Sequence, residues 1–217
     1  PGREHSRRRW LGLSLSLCLL APAVAQAEAT DVLPRQAAIA SAHPLATRAG
    51  LDILAQGGNA FDAAVTVSAV LAVVEPYSSG MGGGGFWLLH RQRDGRQVML
   101  DGRERAPLAA HRDLYLDADG EVIPGLSVDG PLAAGIPGQP AALAHLAEHY
   151  GQLPLAQTLA PAITLARDGF PVDAIYRRLA GFRLAALQAS PAATKQFLQD
   201  GEVPPELSEP ALAACVP

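Results

Sequence analysis

The 217-residue sequence predicts a mixed α/β (α+β) fold on three observations. Two neighbouring apolar segments, Pro44 to Gln56 and Ala60 to Val74, carry helix start and stop residues at their ends. A short apolar run, Phe86 to Leu89, and a predicted return strand, Gln97 to Asp101, flank Asp94-Gly95, a strong short-range hairpin signal. Three amphipathic stretches then follow, parted by turn residues at Gly151 to Pro154 and Gly169 to Pro171. Helices, a hairpin and further helices form a layered α/β order.

Each element has a local reason. Gly57-Gly58 stops the first helix, and Asn59 is a favourable N-cap for the second, which Pro76 ends. That second helix is apolar nearly all round, which predicts burial between layers. Asp62 falls in its first turn, where the helix dipole favours a negative charge, and a helix-start role accounts for it. Phe86 to Leu89 is too short for a typical helix and lacks polar alternation, which predicts a strand buried on both faces. Asp94-Gly95 predicts a type I′ turn, leading into Gln97 to Asp101 as the return strand. Pro140 to Tyr150, Leu155 to Asp168 and Asp173 to Leu187 are predicted helices, and Lys195 to Glu209, rich in acids and prolines, a loop.

The first 27 residues have the pattern of a secretory signal peptide. Arg7, Arg8 and Arg9 precede an apolar core from Leu11 to Leu20, and Ala23-Val24-Ala25 or Ala25-Gln26-Ala27 supplies a small-residue cleavage site. The core is shorter than the about 20 apolar residues that span a bilayer. The expected domain organisation is therefore a signal at 1–27 and one folded region at 28–217, exported to a periplasm or the medium. The whole chain carries a formal charge of −4. Without residues 1–27 it has 13 basic and 20 acidic side chains, a charge of −7, which disfavours nucleic acid as a partner. Cys215 is then the only cysteine, so no disulfide within the chain is expected.

The chemistry concentrates between Gly80 and Pro107. Gly82 to Gly85 remove every Cβ from one short segment, which permits positive φ and close approach of another main chain or a ligand. The predicted hairpin brings Asp101, Arg103, Glu104 and Arg105 near that segment. Arg103 is the candidate substrate-binding residue, because a guanidinium fork matches the α-carboxylate of an amino acid bidentately; solvated surface charges are the other reading of Arg103 and Arg105. Asp101, two residues earlier on an extended chain, is expected to hold that guanidinium in place. Gly80 to Gly85 also satisfies G-x-G-x-x-G, but a dinucleotide site needs a strand before the glycines and a helix after them, the reverse of the order here. His145-Leu146-Ala147-Glu148-His149 matches H-x-x-E-H, yet nothing near it repeats the pattern as a third ligand, and polar residues at an exposed helix end explain it. No metal or cofactor is expected.

Taken together, IASAHPLATRAGLDILAQGGNAFDAAVTVSAVLAVVEPYSSGMGGGGFWLLH and LDGRERAP resemble the amino-terminal half of the large subunit of γ-glutamyltransferases, also called glutathione hydrolases. Gly135-Ile136-Pro137-Gly138, Tyr150-Gly151 and the string from Leu165 to Val172 extend the likeness. The resemblance implies part of a four-layer αββα sandwich of the N-terminal-nucleophile hydrolases. It implies that Arg103 binds the α-carboxylate of the γ-glutamyl group, with Gly102 standing where many relatives carry an aromatic residue. It also implies that glutathione or another γ-glutamyl compound is the donor, and that water, an amino acid or a peptide accepts. The Gly80 to Gly85 segment is expected to shape the wall of that pocket. In this family the nucleophile is a threonine of the small subunit, freed by cleavage of a common precursor. The six threonines here precede Asp31, Arg48, Val67, Leu159, Leu165 and Lys195, so no Thr-Thr-His string occurs. The chain is accordingly expected to be a truncated amino-terminal portion of the large subunit, with no catalytic nucleophile of its own and the small subunit as its partner. Relatives of this fold that act on β-lactam side chains or poly-γ-glutamate, and a non-catalytic exported domain that binds a carboxylate or serves assembly, are the alternatives.

Overall fold

A computed structural model describes residues 37–207, and the predicted signal peptide and Cys215 lie outside the described residues. Helix α1 (Pro44–Ala55) packs on α2 (Ala60–Val74), and α2 also meets α3 (Gln139–Tyr150) and α4 (Leu155–Asp168). Strands β1 (Gly85–Arg91) and β2 (Arg96–Gly102) form the hairpin, and α3 packs against β2. A 3-10 turn at Pro131–Ala133 precedes α3. Beyond α4 come β3 (Phe170–Pro171), α5 (Ala174–Phe182), α6 (Leu184–Ala189), α7 (Pro191–Phe197) and β4 (Glu206–Leu207), with β3 and β4 paired antiparallel.

The core forms around α2. Val65, Ala69, Val70 and Val73 meet Ala46 and Ala49 of α1, Leu143 and Leu146 of α3, and Leu159, Ala162 and Ala166 of α4. Small residues alternate with branched ones, which lets the helices approach closely. As predicted, α2 is buried on most of its circumference, including Thr66, whose hydroxyl donates to the Thr158 carbonyl at 2.8 Å.

The start of α2 does more than cap a helix. The Asn59 side chain accepts from the Phe61 and Asp62 N–H groups, and Asp62 accepts from the Asn59 N–H at 2.8 Å, a reciprocal capping box. Asp62 is fully buried and also accepts from the N–H groups of Gln152 and Leu153, in the loop between α3 and α4. The expectation of a mere helix-start charge is corrected: its carboxylate joins two distant segments. Gly151 is glycine because a Cβ there would lie 2.6 Å from both Asp62 Oδ1 and the Ala147 carbonyl oxygen.

The hairpin departs from expectation twice. Its register pairs Arg91 with Arg96, so the loop is the four residues 92–95 and not a two-residue type I′ turn. Such a turn needs positive φ at both central positions; Gly95 takes φ +65°, but Asp94 does not. Asp94 instead forms a salt bridge with Arg91 and accepts from the Arg96 N–H. Its carboxyl is held down to about 2, first by hydrogen bonding from Arg91. Secondly, β1 is not buried on both faces. Trp87, Leu89, Val98 and Leu100 point toward the core, whereas Phe86, Leu88 and Met99 are 57, 75 and 60 % exposed, because no described element covers that side.

The predicted helix from Asp173 to Leu187 is two helices, parted at Arg183 where the backbone leaves helical ψ. Its start is as the sequence suggests: Asp173 caps α5 by accepting from the Tyr176 N–H at 2.7 Å. Residues 195–197 belong to α7 and not to the loop expected there. Among the described residues no helix is long and apolar enough to cross a membrane.

Candidate functional site

The segment from Ile136 to Gln139 organises the site. Ile136 and Arg105 exchange backbone hydrogen bonds of 3.0 and 2.7 Å, and the N–H groups of Gly138 and Gln139 both donate to the Gly83 carbonyl, at 3.0 and 3.1 Å. One four-residue stretch thus fastens the chain after β2 to the glycine run before β1. Glycine is required where these strands cross. A Cβ on Gly84 would collide with the Gly102 carbonyl oxygen and sit 2.5 Å from the Glu104 nitrogen. One on Gly138 would collide with the same Gly102 oxygen and lie 2.6 Å from the Arg103 carbonyl. None of Gly80 to Gly85 takes positive φ, so close approach is what the run provides, and not unusual dihedrals.

A mutation tests this crossing. Gly138 has φ −102°, which alanine adopts without strain, so any cost of Gly138→Ala is steric. The expected loss is about 2 kcal/mol of unfolding free energy, as for overpacking elsewhere. Urea denaturation measures it, and Gly181→Ala, where a Cβ meets nothing within 4 Å, serves as the clash-free control, expected to stabilise slightly because it lies in α5.

Arg103 stands where β2 ends and lines an open concavity of about 340 Å³, together with Asp101, Arg105, Ile136, Pro137 and His145. Its side chain is 62 % exposed, and its Nε donates to Glu104 Oε1 at 2.9 Å. The remaining guanidinium N–H groups have no partner among the described residues. The Glu104 carboxyl lies below its ordinary value, first through its own backbone N–H and then through Arg103. Such an exposed ion pair between sequence neighbours is weak and readily exchanged for a ligand carboxylate. The expected role of Asp101 is corrected: its carboxylate accepts from the Arg103 backbone N–H at 3.0 Å, so it fixes the main chain and not the guanidinium. Gly102 is buried, and a Cβ there would lie 2.5 Å from Trp87 and 2.6 Å from Ala142, so the Trp87 ring fills the space beside this position.

The glycine run does not line the Arg103 concavity. It lines a second one of about 420 Å³, with Tyr77, Ser78, Ser79 and Gln139. Burial pushes the Tyr77 hydroxyl up to about 12, assisted by the neighbouring charge of Glu75, to which it is also hydrogen-bonded. Gln139 had no signal in the sequence beyond its position one residue after Gly138. The two histidines of H-x-x-E-H stack on α3 with ring centroids 4.1 Å apart, and His149 Nδ1 lies 3.1 Å from the His145 carbonyl. Among the described residues no group of three or more His, Cys, Asp or Glu side chains is placed to hold a metal ion.

The family profile described as Gamma-glutamyltranspeptidase matches residues 46–215. The chain is similar to the glutathione hydrolase proenzyme of Pseudomonas sp. (strain A14), 46 % identical over 135 residues, covering 62 % of this chain and 23 % of that protein. Among solved structures, the γ-glutamyltranspeptidase of Helicobacter pylori matches with a TM-score of 0.79 and 36 % identity, covering 83 % of this chain and 52 % of that one. That of Pseudomonas nitroreducens, solved in complex with L-DON, matches with a TM-score of 0.77 and 35 % identity, covering 85 and 54 %. These likenesses bear out the α+β class as part of an N-terminal-nucleophile hydrolase αββα sandwich. The chain spans about a quarter of the length of the curated relatives it matches.

Proposed function

Because this chain belongs to the γ-glutamyltranspeptidase family, we propose that it carries the donor-binding arginine of a protein that transfers or hydrolyses γ-glutamyl groups of glutathione and related compounds. The observation that carries the reading is the Arg103 guanidinium, placed on a concavity with most of its donors unpartnered and held otherwise only by an exposed neighbour. Two parallel N–H···O bonds to the α-carboxylate would orient the donor and leave its γ-amide extended away from Arg103. Arg105 lines the same concavity and adds a second positive charge toward the acidic ligand. Attack on that amide is the task of a threonine hydroxyl: the C–O bond forms, the amide C–N bond breaks and the amine leaves with the hydroxyl proton, and water or an acceptor amine then resolves the γ-glutamyl ester and restores the hydroxyl. These 217 residues contain no Thr-Thr-His string, so the proposed role of this chain is binding and orientation of the donor. Export, and association with the small subunit of the same precursor, belong to the same reading.

The test is a pair of ligands differing in one group. L-glutamate is expected to bind the purified chain, and γ-aminobutyrate, which lacks the α-carboxylate, is expected not to. Equal binding of both, measured by calorimetry or NMR titration, would contradict recognition of the α-carboxylate, since γ-aminobutyrate retains only the distal one.

A further inference from the structure

Gln139, the first residue of α3, is only 8 % exposed, yet no hydrogen bond reaches its carboxamide among the described residues. Its backbone N–H donates to the Gly83 carbonyl, which leaves the carboxamide free of that contact. Buried side-chain amides are nearly always paired, and an orphan costs stability, so one that persists at the edge of a concavity calls for a ligand. Gln139 lines the 420 Å³ concavity with the Ser78 and Ser79 hydroxyls and the backbone of Gly80 to Gly84. No charged side chain lines it. An ionised ligand group would find no counter-charge there, whereas an uncharged group that both donates and accepts would find matching partners. The missing Cβ atoms of the glycine run let an extended ligand chain lie close.

We infer that Gln139 is a specificity residue that hydrogen-bonds a peptide amide of a γ-glutamyl peptide, in a subsite separate from the carboxylate fork. The inference rests on the donor-binding reading above, since the two concavities flank the same Ile136 to Gln139 segment. The carboxamide accepts from the ligand N–H and donates to its carbonyl, while the serines take the remaining polar groups. No bond is made or broken at this subsite.

The experiment compares glutathione with L-glutamate on the ¹⁵N-labelled chain and on Gln139→Met, which keeps side-chain length and removes the amide. Glutathione is expected to move the Gln139 side-chain NH₂ resonances and to bind about tenfold tighter than glutamate, the equivalent of about 1.4 kcal/mol. Glutamate is expected to move residues 101–105 and to leave the Gln139 side-chain NH₂ resonances in place. Gln139→Met should erase the tenfold preference, leave glutamate affinity unchanged, and raise Tm by about 2–4 °C because an orphan amide has gone. Gln139 resonances unmoved by glutathione, an unchanged preference in the variant, or a lowered Tm would each overturn the inference. Failure of the arginine reading has a different signature, the absence of glutamate-induced shifts at residues 101–105.

Discussion

Asp62→Ala is expected to lower the unfolding free energy by about 3 kcal/mol, a large part of the stability of a domain this size. The carboxylate accepts from the backbone N–H groups of Asn59, Gln152 and Leu153 and is fully buried. Truncation leaves those donors without partners and removes half of the capping box. It also frees the loop from Gly151 to Pro154, which sets how α4 follows α3. Asparagine keeps one accepting oxygen but turns an NH₂ toward backbone donors, so Asp62→Asn should recover less than half of the loss. Urea-induced unfolding followed by circular dichroism checks both values. A loss below about 1 kcal/mol for alanine would mean that water or other groups replace the carboxylate, and that a simple helix-start charge was the better description.

Arg103→Ala is expected to weaken glutamate binding by about 100-fold, since a bidentate pair to a charged group loses about 3 kcal/mol when the fork is removed. Arg103→Lys keeps the charge and loses the planar fork, so a loss of about tenfold is expected. Neither change should unfold the chain. The side chain is largely exposed, and its one ion pair is with the adjacent Glu104, a contact of little worth to stability. Calorimetric titration with L-glutamate reads the affinity, and an unchanged melting curve separates lost binding from lost structure.

The parts of the fold that could be read in advance are those whose signals are local. Pro44 and the Gly57-Gly58 pair bound α1, Asn59 and Pro76 bound α2, and Pro154 and Gly169 bound α4, because each acts on backbone within a few residues. Asp94-Gly95 marked the hairpin but misstated its turn, since the Arg91–Asp94 ion pair favours a longer loop than the dipeptide alone predicts. The burial of β1 was misread because apolar composition does not say which faces are covered. Phe86 and Leu88 are as apolar as Leu89, yet only Leu89 meets the core. The pairing of Phe170 with Leu207 had no local trace at all.

The site divides in the same way. The placement of Arg103 at the end of β2 was legible because the hairpin signals are local and the surrounding string is distinctive; its role toward a ligand is the proposal made above. The role of Asp101 was misassigned because spacing on an extended chain does not reveal that a carboxylate will cap the backbone N–H two residues on. Gln139 was invisible for a physical reason. An unpartnered buried amide is a property of packing, and nothing in a polar residue beside Gly-Pro punctuation foretells it.

The most direct measurement is the Nε–Hε resonance of Arg103 in an NMR titration of the chain with L-glutamate. A saturable shift of that signal is expected as the guanidinium leaves Glu104 for the ligand carboxylate, with the same affinity that calorimetry gives. Glutamate binding with the Arg103 signal unmoved, or no binding at all at millimolar ligand, would contradict it.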